Sequence, residues 1–150
     1  MTLSTILADL FEQDLRTLIR EVEQFHDEEA LWTTKGNIRN SAGNLVLHLV
    51  GGMNFRIGAL LAKNGYVRNR DAEFSTKGVP RAELIEQVQK LIPVVTHTVG
   101  NLSQEDMDAL YPEYFDKPDT TNAYVLTKLA NHLNYHLGQV NYLRRMLQAG

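Results

Sequence analysis

The chain contains no cysteine. Disulfides, thiolate metal ligands and a cysteine nucleophile are therefore excluded in one step. It also lacks any apolar run approaching the ~20 residues that a membrane span needs, and it has no internal repeat or low-complexity segment. Positive charge is not in excess: 15 Lys and Arg against 18 Asp and Glu leave a net charge of −3. That balance gives no electrostatic case for nucleic acid or an anionic membrane as a partner. No signal peptide is read, so a cytoplasmic location is the simplest expectation. What is present, 43% apolar and 22% charged residues, belongs to an ordinary soluble globular protein. A chain of 150 residues fits one domain, and at that size folding buries about 68–70% of the unfolded-chain surface.

Four segments carry helical periodicity. Over residues 3–25, Leu7, Phe11, Leu15, Leu18, Val22 and Phe25 recur at spacings of three and four, with Thr2 or Ser4 as a cap. His26 falls just past this helix and reads as solvated. A second helix is expected from Ala42 to Lys63, capped by Asn40 or Ser41. It is apolar on two opposite sides. One carries Ser41, Asn44, Leu45, His48, Gly52, Phe55 and Ala59; the other carries Val46, Val50, Met53, Ile57 and Leu61. A helix apolar all round is buried, and in a chain this small the second side is expected to form a homodimer interface. Gly51-Gly52 costs about 1 kcal/mol per glycine relative to alanine, which calls for either close helix packing or room for a ligand beside His48.

Residues 64–79 read as a long polar connection whose mixed charges are solvated and locally paired. Pro80 opens a third helix over 80–100 with a buried stripe of Leu84, Val88, Leu91 and Val95. Pro93 interrupts its hydrogen bonding, and His97 lies off the stripe. Between 101 and 119, Ser103-Gln-Glu-Asp106 has the form of a short capped turn, followed by an irregular lid or crossover with two prolines and three aromatics. A fourth helix, 121–148, starts at Thr120 or Thr121. Four amphipathic segments with one long crossover between the second and third argue for an all-α four-helix bundle.

The last helix carries His132 and His136, four residues apart and so on one side. On a helical wheel they fall within an arc made by Val125, Leu129, Val140, Leu143 and Leu147, which predicts that they face the interior. With His48 from the second helix they form a candidate site for a divalent cation (Zn, Ni or Fe), three imidazoles leaving a position open for water or substrate. Such an ion lowers the pKa of a bound water or thiol. Leu133 stands where a zincin carries its glutamate, so protease chemistry of that kind is not expected. Gln139, one turn after His136, is placed to hold a ligand's outer partner, and Asn44, Gly52 and Phe55 are candidates for the pocket wall. Tyr135 and Tyr142, at the edge of the arc, read first as packing residues. The alternative is that the three histidines are core residues satisfied by Asn44, Gln139 or water.

Asn44-Leu-Val-Leu-His48-Leu on an early helix, with Ala130-Asn-His132-Leu-Asn-Tyr-His136-Leu-Gly-Gln139 on the last, resembles the DinB/YfiT-like superfamily. The segment Arg68-Asn-Arg70-Asp-Ala-Glu73-Phe74 is similar to a connection found in one of its branches. The resemblance implies an up-down-down-up bundle, usually dimeric, with a divalent metal on His48, His132 and His136. It also implies a metal-dependent enzyme that uses a low-molecular-weight thiol as co-substrate, such as a thiol S-transferase or a thiol-dependent isomerase. The enzyme expected here transfers a small thiol or, hydrolase-like, hydrolyses a small-molecule electrophile. The other reading is a non-catalytic, stress-associated bundle that binds a small molecule in its pocket.

Overall fold

The computed structural model describes residues 1–148. Among them are six α-helices and no extended strand: α1 (Leu3–Gln24), α2 (Ala42–Met53), α3 (Arg70–Ser75), α4 (Arg81–Gly100), α5 (Gln104–Asp108) and α6 (Asn122–Gln148). The helix starts follow the capping chemistry of the sequence. The hydroxyls of Thr2 and Ser41 accept from the amides of Thr5 and Asn44, and Thr121 Oγ1 accepts from Tyr124 N. Ser103 and Asp106 close a reciprocal capping box at α5.

The four longer helices enclose the core. α1 packs on α4 and α6, and α2 packs on the same two helices. Phe11, Leu15, Leu18 and Val22 of α1 are fully buried, as are Leu84, Val88 and Val95 of α4. No helix among the described residues is long and apolar enough to cross a membrane.

Two expectations about the second helix need correction. It does not run as one α-helix to Lys63. After Met53 the chain passes into a π turn, Asn54–Ala59, and Lys63 has a φ of 53°, outside any right-handed helix. Its second apolar side is also not free for a partner. Val46, Val50, Met53 and Ile57 lie in the chain's own core, no more than 6% exposed. Four of the five residues on that side are thus buried within one chain and are not available to a partner, while Leu61 is half-buried.

The connection over 64–79 is not simply a solvated loop either. It contains α3, and Glu73 within it is buried. Asn44, itself fully buried, donates through Nδ2 to the carbonyls of Glu73 (3.0 Å) and Thr76 (2.8 Å). One amide from α2 thus fastens the end of α3 against it.

Candidate metal centre

His48 lies in the middle of α2, 9% exposed. Its Nδ1 is 3.1 Å from Glu73 Oε1. A carboxylate only accepts, so Nδ1 is the donor and the Nε2 lone pair is left facing away from Glu73. Arg68 holds the other side of Glu73 through Nε to Oε2 (2.9 Å) and Nη2 to Oε1 (3.0 Å). Gly51 makes this approach possible, since a Cβ there would overlap the Glu73 carboxylate. The first glycine of the pair therefore serves close packing, by a carboxylate rather than by a helix. The second, Gly52, lines open space next to Arg68.

On α6, His136 Nδ1 is 2.6 Å from Gln139 Oε1, one turn ahead. That contact again makes Nδ1 the donor and turns Nε2 inward. The three Nε2 atoms meet: His132 is 3.4 Å from His48 and 3.0 Å from His136. His132 Nε2 can carry at most one proton, so it satisfies at most one of the two lone pairs that face it. Tetrahedral ligands about 2.0–2.1 Å from one cation stand about 3.3–3.4 Å apart. The two separations lie at and just below that value, all three ligand atoms fall within 4.8 Å of one another, and the donor set is compatible with a divalent cation.

The protonation states agree. Burial pushes the His48 pKa down, against the hydrogen bond and charge of Glu73. Burial, and then repulsion from His136 and His48, lower that of His132 to about 4. His132 keeps an exposed edge, but both causes act in the same direction. Both rings are neutral at pH 7, which is the form that ligates.

The helical-wheel prediction for the pair is wrong in one respect. His132 is exposed and His136 half-buried, so they do not face the interior. The interior of α6 is taken by Leu126, Leu129, Leu133, Leu137 and Val140. Each histidine precedes a buried leucine by one residue, which sets it on the shoulder of the apolar arc. There the pair meets His48 at the rim of the core.

Beside this cluster opens a cleft of about 710 Å³, lined in part by His48, His132, Gly52, Arg56 and Tyr135. Phe55 does not line it. The π turn advances less around the axis per residue than an α-helix, and Arg56 takes the wall position that α-helical spacing assigned to Phe55. Asn44 hydrogen-bonds none of the three rings; its amide instead fastens the segment that carries Glu73. Tyr135 and Tyr142 are about two-thirds exposed and are not packing residues.

Residues 4–150 match the family described as "Protein of unknown function (DUF1572)". The chain belongs to that family. Among solved structures, this DUF1572 protein is similar to one titled "Crystal structure of the conserved protein of locus from Enterococcus faecalis". The TM-score is 0.79 at 13% identity, over 100% of this chain and 99% of the other. At that identity the likeness speaks for the fold alone. No curated protein matches the chain.

Two residues that buttress the cluster in this DUF1572 chain escaped the sequence reading, Glu73 and Arg68. In sequence they lie in a charged stretch that reads as solvated. The signal that bears on them is Gly51-Gly52, a helix-weakening pair that asks what comes close enough to need it.

Proposed function

We propose that the protein is a metal-dependent enzyme of the DinB/YfiT-like type, a single up-down-down-up four-helix-bundle domain in which His48, His132 and His136 hold one divalent cation, Zn, Ni or Fe. The observation that carries this reading is the convergence of three Nε2 atoms, with the Nδ1 atoms of His48 and His136 already committed to Glu73 and Gln139. The packing of α1 and α2 on both α4 and α6 supports the bundle. A bound divalent cation would supply Lewis acidity, lowering the pKa of a thiol or water at its open position.

The chain's own residues have definable parts. Glu73 orients His48 and raises its basicity, and Gln139 fixes the orientation of His136. With no cysteine in the chain, a thiol nucleophile would come as a low-molecular-weight co-substrate. The cleft admits a small-molecule substrate to the His48 and His132 side of the cluster. Glu73 is held by Arg68 and His48 on the far side of the imidazole from the other histidines, so its task is positioning rather than proton abstraction from substrate. The reaction class is a thiol S-transferase or hydrolase-like conversion of a small electrophile.

Elemental analysis of protein purified without an affinity tag is the test. About one equivalent of a divalent metal is expected in the parent, and none in His132→Ala or His136→Ala. Metal content unchanged by these substitutions would refute the assignment. Turnover on thiol and electrophile panels, lost on chelation, would then establish the enzymatic part.

A further inference from the structure

The protein carries a net charge of −3, yet the wall of the cleft is basic. Arg56, Arg68, Arg70 and Lys128 line it, against Asp116 as the acidic lining residue. Three of the four cations have a carboxylate nearby. Arg68 is held by Glu73, Lys128 Nζ lies 3.7 Å from Asp116, and Arg56 Nη1 lies 3.8 Å from Glu113. The last distance is too long for a hydrogen bond, and Arg56 Nη1 is buried with no hydrogen-bond partner among the described residues. Its guanidinium is 5.0 Å from the Phe115 ring centroid and 5.6 Å from that of Phe55. Arg70 has no ion pair among the described residues. Its guanidinium lies 5.2 Å from the Phe74 ring centroid, and that ring stands 4.8 Å from the His48 ring.

Counting partners, the cleft retains a surplus positive charge at Arg70, and its wall residue Arg56 holds a buried donor that no described residue satisfies. Three neutral imidazoles would add no charge to offset a divalent cation, so the field would grow more positive on metal binding. A concave site of one sign concentrates ligands of the other. The rest of the wall includes Leu49, Met53, Leu129 and Phe115, which suits an apolar body.

We propose that the cleft recognises a small organic acid, its carboxylate taken by Arg70 and Arg56 and its apolar body lying along the wall beside the histidine cluster. This names the substrate class of the site and rests on the reading of that site as an active centre, but the anion contact does not need the metal. Guanidinium pairs match the planar carboxylate in a way that a neutral amide cannot reproduce.

The test compares benzoate with benzamide by calorimetric titration into metal-loaded and chelator-treated protein, each in the parent, Arg70→Gln and Arg56→Gln. Benzoate is expected to bind better than benzamide in both preparations, with affinity falling as salt is raised. Arg70→Gln should weaken benzoate by about tenfold and leave benzamide unchanged, as for the loss of one charge-assisted hydrogen bond. Arg70 is exposed, so this variant should retain the parent's thermal midpoint. Equal binding of the two probes, or benzoate binding that both arginine variants leave intact, would overturn the proposal. Benzoate binding confined to the metal-loaded protein and insensitive to either arginine would also overturn it, by assigning the contact to the cation, while leaving the metal reading standing. The opposite pattern, arginine-dependent binding in a protein that takes up no metal, supports the proposal and removes the metal reading.

Discussion

Two buried carboxylates in this protein have nearly the same surroundings and differ in what completes their networks. Glu21 of α1 is 7% exposed and Glu73 of α3 is 6% exposed, and each is gripped by an arginine. Around Glu21 the hydrogen bonds close on themselves. Asn141 and Arg144 of α6 donate to its two oxygens at 2.7 Å, Arg144 donates to Gln148, and Gln148 returns to the carbonyl of Gln24 on α1. Around Glu73 they do not close, because the third partner is an imidazole whose other nitrogen points at two more imidazoles beside a cleft. A buried ion pair by itself is no sign of function. What distinguishes the second network is an acceptor with no donor to serve it.

The largest effect that tests this contrast is on stability. Glu21→Ala would strand Arg144, which is 13% exposed, and breaking a buried pair in this way costs about 3–5 kcal/mol. Urea unfolding should show that loss, with metal stoichiometry unchanged in the folded fraction. A Glu21 variant that lost metal while remaining folded would erase the contrast.

Next in size is the effect on metal. Glu73→Gln keeps the shape but not the charge behind His48, and removal of such an outer partner lowers metal affinity about 10–100-fold. Gly51→Ala, whose Cβ must displace the same carboxylate, should move affinity in the same direction. Competition with a chromophoric chelator measures both. Parent-like affinity in Glu73→Gln would mean that the carboxylate is only a structural anchor, like Glu21.

The smallest effect separates the networks by pH. His132 has a folded pKa lowered to about 4 from 6.5. Between those values the unfolded chain binds more protons than the native one, so stability of the metal-free protein should fall as pH drops from about 6.5 toward 4. Burial alone would raise the pKa of Glu21, but the hydrogen bonds from Arg144 and Asn141 and the neighbouring arginine charges hold it below 4.5. Its contribution is therefore present above 4.5 and is lost as pH falls through the depressed folded value. Denaturant midpoints measured against pH should show His132→Ala flattening the upper window only. Flattening below 4.5 instead would reverse the assignment.

Much of the scaffold was legible because its causes are local. The stripe Leu84, Val88, Leu91 and Val95 repeats at the helical period, and the capping box of Ser103 and Asp106 needs only residues three apart. Gln139 was legible for the same reason, one turn from His136. His132 and His136 were misplaced because a wheel assigns a face from composition alone, and Leu133 and Leu137 compete with them for the same interior. The arc that includes those leucines is centred one residue away.

The amino-acid sequence by itself determined where the long helices start, which residues line their buried stripes, and that three imidazoles are available as the strongest ligands on the second and last helices. Only the tertiary structure decided that Glu73, 25 residues from His48, is the group that orients it. It alone decided, too, that the second apolar side of α2 is enclosed within the chain. The reason is physical: helical periodicity and caps arise from neighbours within a turn, whereas a carboxylate meeting an imidazole across such a distance depends on how whole helices pack.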